Sequence, residues 1–461
     1  MIRSFLLPSR PLLWRVARQA LFALGLAFAF VVQSIDPLAG RAEAMKIQKV
    51  TSPGGIEAWL VEEPKVPLLA MRFLFDGGSS QDPVGKEGLA NFLSGMLDEG
   101  AGDLDALGFQ KRVEDIAMRL SFNDARDAFY GSFETLTANR DAAAELLRLA
   151  LTSPRFDADA VERVRSQIES SLAFAAKDPD RVADKAWYRT AFPDHPYGRS
   201  PSGSLETIRA ITRDDLAAFT KRVFARDTLR VVAVGDIDAK ALGLMLDKIF
   251  GGLPAKARLD PIAYAVPQKG ARVEVVEMNV PQSVALFGLG AMKRKDPDFI
   301  AAFVMNQILG GGGFASRLME EVREKRGLAY SVYSYIAPFK HTSIFAGGVA
   351  TKNEEIAQSL DVIRGELTRM ANDGPTADEL ANAKSYLTGS YALRFDTNAK
   401  IANQLLGIYQ EDLGIDYVDR RNKEVDAVTL ADVKRVAKRL LDTDNLIVMV
   451  VGKPKGLQRR S

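Results

Sequence analysis

The sequence predicts an α+β chain built as two homologous α/β halves in tandem, facing each other across a cleft. Three observations carry that expectation. Residues 211–236 (ITRDDLAAFTKRVFARDTLRVVAVGD) and 428–453 (VTLADVKRVAKRLLDTDNLIVMVVGK) share one pattern: a Thr, an amphipathic segment with Lys and Arg on its outer face, a turn, then a β-branched run ending in Gly. A single offset of 217 residues carries Ile211 onto Val428 and Gly235 onto Gly452, the mark of an internal repeat. Long helical segments alternate with strands, yet some strands arrive in pairs with no helix between them, which favours α+β over a doubly wound parallel sheet.

Taken in order, residues 1–44 read as a signal peptide. Arg3, Arg10, Arg15 and Arg18 precede an apolar run from Ala20 to Val32, and no acid occurs before Asp36. That run is shorter than the ~20 residues of a membrane span and suits the apolar region of a secretory signal. Ala42-Glu43-Ala44 has the small-x-small form of a cleavage site, which places the cut after Ala44. The alternative is an uncleaved anchor. Either way the body is expected outside the cytoplasm, exported to the periplasm.

The first half, 46–255, opens with MKIQKVTSPGGIEAWLVEEP, two short strands around Pro53-Gly54-Gly55. Asp82-Pro83 marks a loop before a long helix, and Asp157 is the expected N-cap of the helix in FDADAVERVRSQIESSLAF. The run LRVVAVG is mostly apolar, as a strand covered on both faces is. A weakly patterned linker, 256–269, follows Pro254 and contains Pro261 and Pro267. The second half, 270–456, repeats the plan. Asp296-Pro297 answers Asp82-Pro83 at an offset of 214, and Thr376 is the expected N-cap of GPTADELANAKSYLTGSYAL.

Composition narrows the function. Apolar content of 47% and 461 residues allow a sizeable core. Lys plus Arg is 61 against 59 for Asp plus Glu, so there is no electrostatic reason to expect nucleic acid. The absence of cysteine excludes disulfides, thiolate catalysis and cysteine-ligated metal. The two histidines, His195 and His341, lie in different halves and share no helical spacing. His195, between Asp194 and Pro196, reads as a structural hydrogen-bonding residue, and His341 as a solvated turn residue. Gly310 to Gly313 lacks the Lys-Ser/Thr of a phosphate loop. It reads as a flexible loop opening a helix at Ala315–Ser316, which makes Gly311, Gly312 and Gly313 candidates for contact with a bound peptide.

HPYGRSPSG at His195–Gly203, the VVAVGD strand end and GGGGFASRLMEEVREKRGLAYSV at Gly310–Val332, set in two α/β repeats, resemble the pitrilysin (insulinase-like) zinc metallopeptidase family. The likeness spans essentially the whole chain after residue 44. Active members carry an inverted zinc motif, His-x-x-Glu-His, after a Gly-Leu-Ala and before a Met. Here the matching stretch is Gly88-Leu89-Ala90-Asn91-Phe92-Leu93-Ser94-Gly95-Met96. Asn91 and Gly95 stand at the two His positions and Ser94 at the Glu. The spacing of the family's distal Glu ligand falls on Ser171. A catalytic zinc needs about three imidazole, thiolate or carboxylate ligands, and this set offers none. No metal is therefore expected in this chain.

The same resemblance implies an Arg and a Tyr seven residues apart in the second half, and Arg323 and Tyr330 keep that spacing. By residue pattern alone, Arg323 reads as a partner of Glu320 and Glu324, and Tyr330 as a core residue. The resemblance instead implies that the pair binds peptide and steadies its carbonyl oxygen. The implied function is that of a non-zinc subunit in a heterodimeric peptidase, with zinc held by a homologous partner chain and an unfolded peptide as substrate. The alternative is an inactive structural, assembly or peptide-binding protein derived from the same family.

Overall fold

In the computed structural model, residues 45–457 are described; the signal-peptide reading of 1–44 lies outside them. The first half forms a sheet from β1 (Ile47–Thr51), β2 (Glu57–Glu62), β3 (Leu68–Asp76), β4 (Arg119–Asp124), β5 (Ala128–Leu136) and β6 (Arg230–Gly235). Its helices are α1 (Leu89–Ser94), α2 (Ala106–Asp115), α3 (Arg140–Thr152), α4 (Ala158–Ala175), α5 (Pro179–Ala191), α6 (Leu205–Ala210), α7 (Arg213–Val223) and α8 (Ala239–Phe250). The second half has β7 (Arg272–Glu277), β8 (Gln282–Gly290), β9 (Ala329–Pro338), β10 (Ser343–Lys352) and β11 (Ile447–Gly452). Around them lie α9 (Phe299–Asn306), α10 (Ile356–Asp373), α11 (Ala377–Gly389), α12 (Asn398–Gln410), α13 (Tyr417–Ala427) and α14 (Leu430–Leu440).

Strand order makes the repeat explicit. The first sheet runs β1-β2-β6-β3-β5-β4 and the second β7-β11-β8-β10-β9. Apart from β1, each strand has a counterpart in the same place, including one parallel pair per sheet, β2 with β6 and β7 with β11. The central strands β6 and β11 are buried almost throughout, which is why both read as continuous apolar runs. The helices before them start alike. Thr212 and Asp215 form a capping box on α7, and Thr429 and Asp432 form one on α14. Thr376 caps α11 in the same way. Asp157 does sit at the N-cap position of α4, but its carboxylate accepts from Arg155 Nε at 2.7 Å and makes no cap bond. A nearby guanidinium is a stronger donor than a helix N–H.

Each half keeps its own apolar core between its sheet and its outer helices. The other face of each sheet is covered by a helix from the opposite half. Helix α5 lies on β8 and β11, where Trp187 is fully buried and its Nε1–H donates to the Ile447 carbonyl at 3.2 Å. Helix α12 lies on β3 and β6. There Tyr409 stacks on Trp59 with ring centroids 4.5 Å apart, and Arg72 Nε donates to Asn403 Oδ1 at 2.9 Å. A groove of 440 Å³ lies between α5 of the first half and β8–β10 of the second, lined by Asp180, Asp184, Leu286, Tyr333, Tyr335 and Gly348. Residues 256–269 form an extended strap across this join, with the Ala265 N–H donating to the His341 carbonyl at 2.9 Å.

Candidate functional site

The positions of the altered zinc motif fall together on α1 and at its C-terminal end. Asn91 Nδ2 donates to Asp124 Oδ1 on β4 at 3.0 Å. Ser94 Oγ donates to the Asn91 carbonyl at 2.7 Å, so the hydroxyl is turned back onto its own helix. Gly95 has no side chain to offer a metal, and a Cβ there would make a tight contact, 3.3 Å, with a Val164 methyl on α4. The Arg165 guanidinium lies 5.1 Å from the Phe92 ring centre and donates to the carbonyls of Ile208 and Ile211. Ser171 is exposed on α4, and no described contact joins it to Asn91, Ser94 or Gly95. Among the described residues no group of three or more His, Asp or Glu could hold a metal ion. The site does not fit zinc: the Asn91 amide is committed to Asp124, the Ser94 hydroxyl is turned onto its own helix and Gly95 offers no donor.

One carboxylate under α1 is unusual. Asp82 is buried, and it accepts from the N–H groups of Gly88 at 2.8 Å and Ala90 at 3.0 Å. It thus satisfies donors that open the helix. Burial pushes its carboxyl up to about 7, against the pull of those two N–H groups. The unfolded value is about 3.9. Between the two the folded chain holds a proton that the unfolded chain has released, so stability is greatest at the acid end and falls as pH rises through the window. Asp82→Asn cannot ionise. Urea unfolding at about pH 5 and about pH 8 is expected to show the unmodified chain losing on the order of 1–3 kcal/mol relative to the variant. Parallel behaviour of the two proteins would exclude a buried proton at Asp82.

The second half holds the other candidate pair, and here local backbone decides the geometry. Residues Met319–Glu324 form a π-helical turn rather than the regular α-helix their spacing suggests. Gly327, at φ +62°, ends the turn: its N–H donates to the Arg323 carbonyl at 2.8 Å and the Leu328 N–H to that of Val322 at 2.9 Å. Tyr330 then enters β9 at an irregularity. Ser331 pairs with Ala350 and Ala329 with Thr351, which leaves Tyr330 as the extra residue of a bulge. A bulge re-aims a side chain. Tyr330 is accordingly 81% exposed, not a core residue.

Arg323 stands beside it. The guanidinium centre is 4.9 Å from the Tyr330 ring centre and 4.6 Å from that of Phe314. Its nearest acid is Glu324, with Nη1 to Oε1 at 3.6 Å; Glu320 is taken by Lys325 at 2.9 Å. Nη1 of Arg323 is buried and has no hydrogen-bond partner. The turn is held from beneath. Arg317 forms a two-pronged pair with Glu379 at 2.5 and 2.7 Å, and Glu321, held well below the usual carboxylate range at about 2 by Lys325 and Arg326, ties the far end.

The glycine run is more ordered than a flexible loop. Gly311 closes a π-helical turn from Gln307, and Gly313–Ala315 forms a 3-10 turn. Gly313 has φ +57° with open space around it, and Ser316 Oγ donates to its carbonyl at 2.7 Å. Gly311 and Gly312 lie against Asn306 and Gln307, with Phe314, which sequence reasoning passed over, projecting 69% exposed beyond them. Its only sequence signal is an aromatic residue inside a glycine-rich stretch. The histidines stand apart from this site. His195 bridges the Tyr197 N–H and the Ala263 carbonyl, a structural role. His341 is half-buried at the join rather than solvated, and burial lowers its imidazole pKa. The His341 backbone N–H donates to the Tyr197 hydroxyl, which in turn donates to Asp127 Oδ2.

Residues 59–204 match the family model described as insulinase (peptidase family M16), and residues 210–387 the one described as the peptidase M16 inactive domain. A Helicobacter pylori protein named non-peptidase homolog YmxG is 29% identical over 409 residues, 86% of this chain and 94% of that protein. A Streptomyces coelicolor protein named uncharacterized zinc protease SCO5738 is 27% identical over 404 residues, 86% of this chain and 87% of that one. The crystal structure of a peptidase M16 inactive domain from Pseudomonas fluorescens superposes with a TM-score of 0.84 at 28% identity, over 90% of this chain and 99% of that one.

Proposed function

Because this chain belongs to the insulinase family (peptidase family M16), with a second half of its inactive-domain type, we propose that it is the non-zinc subunit of a two-chain peptidase. The observation that carries the reading is an exposed Tyr330 on a bulge beside a half-buried Arg323 on a π-turn whose Nη1 has no protein partner, while the first half has no metal ligands at the matching positions. Peptide hydrolysis builds negative charge on the carbonyl oxygen. A phenol O–H and a guanidinium are donors matched to that charge. The metal and the attacking water belong to a homologous zinc-bearing partner, and the substrate is an unfolded peptide laid along the β9 edge beside Gly311, Gly312 and Gly313. The basic start and apolar run of residues 1–44 support export to the periplasm as the place of action.

The chain alone is expected to hold no stoichiometric zinc and to cleave no peptide. Elemental analysis of the untagged protein finding about one tightly held zinc per chain would falsify this. Installing Asn91→His, Ser94→Glu and Gly95→His together is not expected to create a site, because Ser171 stands where the distal carboxylate ligand would be. The pairing itself is tested by purifying the chain from its native host with its homologous zinc-bearing neighbour, then assaying peptide cleavage by the complex and by each chain alone. Activity confined to the complex is the expected result.

A further inference from the structure

A guanidinium can be oriented in two ways. Hydrogen bonds and ion pairs hold it firmly but consume its N–H donors. Aromatic faces hold it through the ring quadrupole and leave the donors free. Arg323 is held in the second way. Among the described residues no protein acceptor takes a hydrogen bond from its guanidinium, and its ion contact with Glu324 is at 3.6 Å. The rings of Phe314 and Tyr330 both lie within 5 Å of its centre, at 4.6 and 4.9 Å.

Phe314 owes its place to the backbone rather than to core packing. The ring is 69% exposed, so the apolar interior does not fix it. The 3-10 turn does: the Ala315 and Ser316 N–H groups donate to the Gly312 and Gly313 carbonyls at 3.3 and 3.0 Å, and Gly313 adopts the left-handed conformation that the turn requires. A constrained turn that holds an aromatic ring out of the core and over a cation is a device for positioning that cation.

We propose that Phe314 is a positioning residue. Its ring contact with Arg323 holds the guanidinium beside the Tyr330 phenol, so that both donors meet one carbonyl oxygen of the substrate. This rests on the reading of the chain as half of a two-chain peptidase. Phe314→Leu keeps apolar bulk and removes the π face; Phe314→Tyr keeps the face. In the complex, Phe314→Leu is expected to lower kcat about tenfold with KM little changed, and Phe314→Tyr to restore most of the loss. In an Arg323→Lys background, Phe314→Leu is expected to add little, since the group it positions is gone.

The chain alone supplies an arm that needs no partner. With 15N-labelled arginine, the Arg323 Nε–H resonance, identified by its loss in Arg323→Lys, is expected to move in Phe314→Leu and to stay near its place in Phe314→Tyr. A resonance indifferent to Phe314→Leu overturns the proposal. So does a resonance that moves while kcat stays at the unmodified value in a complex that Tyr330→Phe does impair. If Tyr330→Phe and Arg323→Lys both leave turnover intact, the two-chain reading has failed, and the positioning role falls with it whatever the resonance shows.

Discussion

Tyr330→Phe is expected to lower turnover of the two-chain enzyme by about 100- to 1000-fold, or ~3–4 kcal/mol of transition-state stabilisation. The substitution removes one O–H and nothing else. At 81% exposure the ring contributes little to the core, and no described hydrogen bond ends on the hydroxyl. Fold and pairing are therefore expected to survive, which makes the loss attributable to chemistry. Arg323→Lys is expected to act similarly, because an ammonium lacks the planar fork that can serve a carbonyl oxygen and a second acceptor together. Steady-state kinetics on the complex, with association checked by gel filtration, measures both. Near-normal turnover in Tyr330→Phe would remove the catalytic role and leave the chain as a scaffold or a separate peptide binder.

How much of this site could be read without coordinates differs from residue to residue. The seven-residue spacing of Arg323 and Tyr330 was legible because a spacing in the chain can be counted and matched to a known pattern. The π-turn and the bulge were not. Both insert one residue into a regular pattern without changing its composition, and the bulge depends on the partner strand β10. Tyr330 therefore read as core on residue pattern alone, and Phe314 was passed over. The repeat was legible in β6, β11, α7 and α14, where burial and caps recur at one offset. The exchange of α5 and α12 between halves was not, since periodicity says that a helix buries a face but not against which sheet.

That exchange underlies the other large effect expected. Trp187→Ala is expected to destabilise the chain by about 3–5 kcal/mol. The indole belongs to the first half and is fully buried against the second, its N–H on the Ile447 carbonyl and Tyr188 and Phe192 edge-on around it. Gly288 beneath it could not be any other residue, because a Cβ there would lie 2.4 Å from Trp187 Cζ2. The backbone of β8 approaches the ring that closely, so truncation leaves a cavity that neither β8 nor β11 can fill without breaking its pairing. The reciprocal helix α12 is joined by polar contacts, Arg72 to Asn403 and Tyr130 to Gln410, besides the Trp59–Tyr409 stack. Polar contacts exchange with water at small net cost, whereas the apolar seat of α5 has no such substitute. Each sheet is made of strands from one half only, so Trp187→Ala weakens the join before it weakens either half. Urea unfolding followed by circular dichroism is expected to shift to lower denaturant and to broaden or split into two steps. A single transition at the unmodified midpoint would mean that the strap at 256–269 and the α12 contacts hold the halves together without the indole.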